Sequence, residues 1–382
     1  MKKVLLGVLA AILVLGSVLL VQTLRFTPET VAVTPLSPIS LDEAAAARRL
    51  AGALRFQTLS TQNRDQFNGE PFLGLHHYLE EAFPKVHSTL KKEVVNTYGL
   101  LYEWPGRNRS LKPIAFLAHQ DVVPVAADTL KEWPQPPFDG VVADGFVWGR
   151  GAMDDKCSLT GLLEAVESLL GEGFQPERTI YLAFGHDEEV GGEQGAKKIA
   201  ELLESRGIRC EFVMDEGGGI VSGLLPGLDV PAAVIGVGEK GYLTLELSVT
   251  AEGGHSSTPP KHTAIGILSR AVARLEDRPL PAKMAYASRF LSTIGPRMSF
   301  GYRIVFANQW LFSPIIARVL AGIPDTNAVI RTTTAATMFN AGVKENVLPT
   351  SAKAVVNFRL LPGDSIDSVI QYAKDVIDDS RV

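Results

Sequence analysis

Gly149-Arg150-Gly151-Ala152-Met153-Asp154-Asp155-Lys156 is a glycine-flanked turn that presents two adjacent carboxylates. Its meaning comes from three neighbouring stretches. Upstream, Ile114-Ala115-Phe116-Leu117 runs into Ala118-His119-Gln120-Asp121. Downstream, Ile180-Tyr181-Leu182-Ala183-Phe184 runs into Gly185-His186-Asp187-Glu188-Glu189, and Phe212-Val213-Met214 ends in Asp215-Glu216. Short apolar runs that repeatedly end in His, Asp or Glu are how an α/β sheet gathers ligands at its carboxyl edge. Between the runs lie segments of helical period: residues 158–170, with Leu159, Leu162, Leu163, Val166, Leu169 and Leu170 on one face, and residues 195–206. The alternation predicts an α/β fold with a mixed, largely parallel sheet covered by helices on both faces.

Working outward, residues 41–54 are helical by propensity with Ser40 as the cap, and residues 72–83 repeat apolar side chains at helical spacing. The His76-His77 pair inside that helix reads as a surface or packing feature. Residues 100–104 and 114–118 read as neighbouring strands separated by the turn at 106–112. From about Gly241 the texture changes. Tyr242 to Val249 alternates with period two, a helix follows at 264–275, and an apolar helix lies around 310–320. Strands near 332–339 and 352–361 and a last helix at 366–377 complete a second, α+β domain with helices on one face of an open sheet. The expected organisation is a membrane segment at 1–25, a tether at 26–40, a catalytic domain at 41–240 and the α+β domain at 241–382.

A 382-residue chain with 46% hydrophobic residues is globular, and a formal charge of −5 without a basic cluster argues against nucleic acid as a partner. Lys2 and Lys3 precede an apolar run from Val4 to Val21, close to the roughly 20 residues that cross a bilayer. That run exceeds the ~7–15 apolar residues of a cleaved signal peptide, and no A-x-A site follows it. It reads as an uncleaved signal anchor. The paired lysines favour the cytoplasmic side, so the body is expected outside the cytoplasm, periplasmic or extracellular, and secreted if the segment is cleaved. Cys157 and Cys210 are the only cysteines; sequence does not say whether they pair, and Cys157 reads as a small packing residue.

The chemistry follows from residue type. Imidazole and carboxylates suit zinc or a similar divalent ion. His119 is a ligand candidate, and Asp121 can hydrogen-bond its other ring nitrogen and fix the tautomer. Asp154 can offer one oxygen to each of two ions, whereas Asp155 leaves the turn in another direction, so one of the pair should coordinate. Glu188 and Glu189 likewise project differently, leaving one for metal and one to act as general base on the attacking water. His186 reads as structural. The pattern implies a two-metal hydrolase.

These residues carry a resemblance. Residues 117–124, 148–156, 187–192 and 214–218 resemble the zinc exopeptidases that include glutamate carboxypeptidase, aminoacylase-1 and carboxypeptidase S, over residues 41–382. The motif wording and the amino-terminal anchor are most similar to the carboxypeptidase S and N-acyl-amino-acid synthase/hydrolase branch. The resemblance implies a di-zinc amidohydrolase acting on peptides or N-acyl amino acids, with the α+β domain inserted as a lid and used for homodimerisation. It implies that His119 and Asp215 hold one zinc and Glu189 the other, with Asp154 between them and Glu188 as the base. In Gly253-Gly254-His255-Ser256-Ser257-Thr258-Pro259, His255 is implied to stabilise the oxyanion, often across the dimer interface. Asn346 and Arg359 are implied to bind the substrate carboxylate, a task that suits a guanidinium.

The family completes its second zinc site with a histidine near the carboxyl end, and the histidines here stand at 76, 77, 87, 119, 186, 255 and 262. The expectation is therefore a truncated chain whose second zinc site is incomplete and whose lid sheet lacks its last strand. The competing expectation is an inactive remnant or metal-binding protein of the same fold.

Overall fold

The computed structural model describes residues 1–29, 41–223, 225 and 227–382. Most of the expected tether, and Ser40 as a cap, lie outside the described residues. The chain packs as two compact units, Met1–Val33 with Gly218–Val382, and Thr34–Gly217. Helix α1 (Lys2–Arg25) carries the apolar run, and at ~1.5 Å per residue its 24 residues are long enough to cross a hydrocarbon core of about 30 Å. Its Val, Leu and Ile side chains are largely exposed.

In the 34–217 unit, α2 (Glu43–Ala53) is capped by Asp42, whose carboxylate accepts the Ala45 N–H at 2.9 Å. Helices α3 (Glu70–Ala82) and α4 (Pro84–Thr89) follow, divided at Pro84, which opens the second helix where its missing N–H is harmless. Then come β1 (Lys91–Val95), β2 (Gly99–Trp104), β3 (Ile114–His119), the hairpin β4 (Val141–Ala143) and β5 (Phe146–Trp148), α5 (Lys156–Gly171), β6 (Ile180–Gly185), α6 (Ala196–Ser205) and β7 (Val213–Met214). The sheet order is β1-β2-β6-β3-β7. β3 runs parallel to β6 and β7, while β2 is antiparallel to both β1 and β6. This corrects the expectation that β2 and β3 are neighbours: β6 lies between them. Strand alternation supplies two cores. Leu100, Tyr102, Leu182 and Phe184 face α3, α4 and α5 through Leu75, Leu79, Phe83, Leu159 and Leu163. Leu101, Tyr181 and Ala183 face Ile199 of α6. Because β3, β6 and β7 are parallel, the residues that follow each of them emerge at one sheet edge.

In the other unit, β8 (Gly219–Val221) pairs with β9 (Ala232–Val234); β10 (Gly241–Thr250), β11 (Gly254–His255), α7 (Ala264–Asp277), α8 (Ala285–Ile294), α9 (Phe300–Ala307), α10 (Gln309–Ala321), α11 (Pro324–Ile330), β12 (Thr333–Ala341), β13 (Val347–Leu348), β14 (Ser351–Leu360) and α12 (Ile366–Ile377) follow. An antiparallel sheet of order β10-β14-β12 packs Val249, Ala354, Val356 and Phe358 against Ile267, Leu268 and Ala271 of α7 and Val369 and Ala373 of α12. The packing boundary at Gly217/Gly218 precedes the change of texture read at 241. Both cysteines are free thiols.

Candidate metal centre

The central turn is held by its buried members. Gly151 has φ +84°, and a Cβ there would meet Val122 Cγ1 at 2.7 Å, so the turn needs glycine on both counts. The Asp154–Asp155 peptide is cis. Asp155 is buried and its Oδ2 accepts the His119 backbone N–H at 3.3 Å. Lys156 is buried too; its Nζ donates to the carbonyls of Ala53 (3.1 Å) and Phe56 (2.6 Å), and burial pulls its pKa down to about 7. Asp154, fixed between these anchors and exposed itself, meets His119 Nε2 at 2.9 Å with Oδ1. The two carboxylates of the turn thus take different jobs, one bracing β3 and the other facing the imidazole.

Asp121 is the hub. It is fully buried, and its oxygens accept the N–H of Glu188 and of Glu189, both at 3.1 Å, and the Ser60 hydroxyl at 2.5 Å. Burial works against its charge, but hydrogen bonds from His119 and Ser60 hold its carboxyl below the usual range. His119 Nδ1 donates to the Asp121 carbonyl at 3.0 Å, which leaves Nε2 as the free ring nitrogen. Asp187, also buried, caps the far side of the same loop by accepting the N–H groups of Gln194 and Gly195 at 2.7 Å. Of the Asp187-Glu188-Glu189 triplet, then, the first is a brace and the other two are presented.

Among the described residues, the one group of three or more His, Cys, Asp or Glu side chains able to hold an ion is His119, Asp154 and Glu216, whose ligand atoms lie within 4.8 Å of one another. Glu216 Oε2 is 3.5 Å from His119 Nε2. Sequence reasoning missed Glu216 and chose Asp215. In the structure the Asp215 carboxylate accepts the Glu216 N–H at 2.9 Å, and Glu216 reaches the imidazole. Glu189 is outside this group, although its backbone is fixed beside it.

The electrostatics are those of a crowded anionic pocket. Burial raises the Glu188 and Glu189 carboxyls, and the Asp121 and Asp154 charges push both further up. Burial together with Asp155, Asp154 and Glu188 lifts Glu216 to about 7. Burial opposes a charge on His119, yet Asp121, Glu216 and Asp155 outweigh it and raise that ring to about 10. An imidazole nitrogen that a cation can take in place of its proton, with oxygen donors converging in such a field, is a donor set that fits a divalent cation.

The remaining expected residues lie in the other unit. β11 pairs with β13 in the register His255↔Val347, so His255 and Asn346 are neighbours; the Ser256 N–H donates to the Asn346 carbonyl at 3.1 Å. His255 Nδ1 accepts from the Ser257 N–H at 3.2 Å and lies 2.7 Å from the Ser257 hydroxyl, which leaves Nε2 as the exposed donor. Arg359 sits near the opposite end of β14, roughly 26 Å from Ser351 at ~3.3 Å per residue. Its guanidinium stacks on Tyr242, 4.8 Å from the ring centroid. Within one copy of this unit, therefore, Asn346 and Arg359 do not converge on one carboxylate. His186, read as structural, is buried among Phe67, Phe72 and Tyr98. His76, read as packing, is buried with Nε2 2.7 Å from Gln120 Oε1.

Comparison with known proteins gives the family. Residues 115–304 match the model of Peptidase family M20/M25/M40, and residues 237–381 match the Peptidase dimerisation domain. The chain is 46% identical over 374 residues to the probable carboxypeptidase S-like 2 of Dictyostelium discoideum, covering 95% of this chain and 72% of that protein. It is 43% identical over 351 residues to the N-fatty-acyl-amino acid synthase/hydrolase PM20D1 of Mus musculus, covering 91% and 69%. In the PM20D1 of Xenopus tropicalis the match, 41% identical, spans 65% of that protein, so the chain covers about two thirds of the length of these relatives. Among solved structures, the M20 family metallo-carboxypeptidase Sso-CP2 of Sulfolobus solfataricus shares the fold at a TM-score of 0.56 and 20% identity, over 88% of this chain and 76% of that one. On these matches, the chain belongs to the M20 family of metal-dependent peptidases.

Proposed function

We propose that this chain is a zinc-dependent amidohydrolase of the carboxypeptidase S and N-acyl-amino-acid hydrolase type, acting on peptides or N-acyl amino acids. The observation that carries the reading is the shared dependence of Glu188 and His119 on Asp121: one buried residue holds the candidate base's backbone through its carboxylate and the candidate ligand's ring through its backbone carbonyl. His119, Asp154 and Glu216 are the residues that would hold one zinc ion, and Asp154 with Glu189 would serve a second. A zinc ion held there would supply Lewis acidity toward the scissile carbonyl and the attacking water. Glu188, whose carboxyl is raised toward neutrality by burial, takes the proton of the attacking water and passes it to the leaving nitrogen as the C–N bond breaks. His255, with Nε2 free to donate, is suited to the developing oxyanion, across a dimer formed through the 237–381 region. Asn346 and Arg359 are proposed to contact substrate from separate places on that unit. We further propose that α1 anchors the chain in a membrane with the body outside the cytoplasm.

A second reading, a metal-binding protein holding a single ion, is favoured by the one three-ligand group among the described residues. Glu188→Gln separates the two. On the enzyme reading the variant retains zinc at the wild-type stoichiometry and loses turnover of a panel of dipeptides and N-acyl amino acids by ~10²-fold or more. Equal turnover in the variant removes Glu188 as the base, and one ion per chain with no turnover in the parent favours the second reading.

A further inference from the structure

The helical segment α8–α11 has an inverted surface. On α10 the exposed positions are Trp310, Leu311, Pro314, Ile315, Arg318 and Val319, a stripe at helical spacing. Trp310, Ile315 and Val319 are 60%, 60% and 61% exposed, and on α9 Phe300 and Tyr302 are also open to solvent. A soluble helix turns such residues inward. Its chemistry is one-sided as well. From Arg278 to Pro324 there is no Asp or Glu, while six basic residues occur: Arg278, Lys283, Arg289, Arg297, Arg303 and Arg318. Arg289, Arg297 and Arg318 are exposed, and none of them forms an ion pair among the described residues.

This surface is continuous with the carboxyl end of α1, which packs on α9. The α9 and α10 axes bend by 110° at Asn308, a buried side chain whose Nδ2 donates to the carbonyls of Ile304 (2.8 Å) and Leu19 (3.2 Å) and to Thr23 Oγ1 (3.3 Å). Arg303 donates to the carbonyls of Thr23 and Phe26. Gly295 admits the Phe26 ring, where a Cβ would meet it at 2.8 Å. Trp310 Nε1 donates to Gln22 Oε1 at 3.0 Å, in the last turn of α1. An indole at the end of an apolar span, beside arginines, stands where a bilayer changes from hydrocarbon to headgroup.

We infer that α9 and α10 form a platform that lies in the interface of a bilayer carrying anionic headgroups, with Phe300, Trp310, Leu311, Ile315 and Val319 inserted at the level where α1 leaves the membrane. Apolar insertion plus basic charge without acidic residues is the combination that holds interfacial helices on anionic lipid. An acyl-chain substrate partitioned into the same interface would meet the protein there. The inference rests in part on the anchor reading of α1, and the test separates the two.

The full chain is reconstituted into phosphatidylcholine vesicles, with and without phosphatidylserine, containing lipids brominated at a shallow or a deep acyl position. Tryptophan quenching is compared with that of Trp310→Phe, and flotation after an alkaline carbonate wash reports insertion of α1 independently. The expected result is quenching that is stronger from shallow bromines, strengthened by phosphatidylserine, and lost in Trp310→Phe. The same loss is expected for Trp310 in a Leu311→Glu/Ile315→Glu/Val319→Glu variant, whose substituted side chains are exposed and tolerate charge in the folded unit. A chain that floats after the wash, yet is quenched equally with and without Trp310, overturns the platform while α1 remains an anchor. A chain removed by carbonate but quenched through Trp310 at neutral pH supports the platform and overturns the anchor.

Discussion

Asp121 accepts hydrogen bonds on both oxygens while fully buried, so replacing it by asparagine sets an NH₂ group against at least one of the N–H groups it now satisfies. A buried donor left without a partner costs about 1–3 kcal/mol. The same change weakens the contact with His119 Nδ1, and loss of such an orienting partner typically lowers metal affinity ~10–100-fold. Asp121→Asn should therefore show both effects, read by urea unfolding and by zinc competition against a chromophoric chelator. Wild-type zinc affinity in that variant would mean that the charge of the Asp121 side chain does not help His119 hold the ion. The His-x-Asp spacing already suggested this role from residues alone. Ser60, the third group on Asp121, was not legible, because it stands about sixty residues away with nothing in its local sequence to mark it. Which of Asp215 and Glu216 contacts His119 was not legible either: for two acidic neighbours just past a strand end, sequence carries no sign of which one reaches the imidazole.

At the scale of elements, period decided what could be read. The alternation from Tyr242 to Val249 emerged as β10, and the last amphipathic run emerged as α12 with the expected bounds, closed by a Ser365/Ser368 capping box. The strand order did not emerge, because local pattern says nothing about which strands meet; insertion of β6 between β2 and β3 is settled by the long-range packing of Leu182 and Phe184 with Leu100 and Tyr102. The α4–β2 junction offers a pH test. His87 Nδ1 lies 2.8 Å from the Phe83 carbonyl and Nε2 2.9 Å from the Tyr102 hydroxyl, and burial lowers its pKa despite the Phe83 hydrogen bond. His76, buried on α3, is lowered in the same way. A histidine whose folded pKa is depressed binds its proton more readily in the unfolded chain. Its stabilising contribution is complete above the unfolded value of about 6.5 and is lost as pH falls through the folded value. The histidines' share of the change in urea midpoint between pH 7.5 and pH 5 is accordingly a fall, opposed in the same window by Glu216, whose raised carboxyl binds its proton more readily in the folded chain. In His87→Gln the decline should be shallower by up to one proton, or about 1.4 kcal/mol per pH unit. An unchanged slope would assign the acid sensitivity to His76 and His186, the other histidines that burial lowers.

For the whole molecule, stability and metal are linked through the pocket that gathers at the ends of β3, β6 and β7. Five carboxylates, those of Asp121, Asp154, Glu188, Glu189 and Glu216, are held there around one imidazole, and burial, with the neighbouring negative charges adding to it, raises the carboxyls of Glu188, Glu189 and Glu216. Without a cation this arrangement opposes folding of the 34–217 unit; a divalent ion that binds only the folded pocket removes that opposition and adds its own binding free energy. At free zinc of 100 times the dissociation constant the linkage is about 2.7 kcal/mol, and for a unit of this size each kcal/mol moves a thermal midpoint by roughly 2–4 °C. Zinc should therefore raise the midpoint by roughly 5–11 °C, and chelation should reverse the rise. The shift also discriminates between ligands at constant zinc. Glu216→Ala removes a carboxylate facing His119 Nε2 and should reduce the shift substantially. Asp215→Ala removes one that turns back on its own backbone and should leave most of it. Equal shifts in the two variants would return the choice of ligand at the end of β7 to an open question, and a larger loss in Asp215→Ala would reverse it.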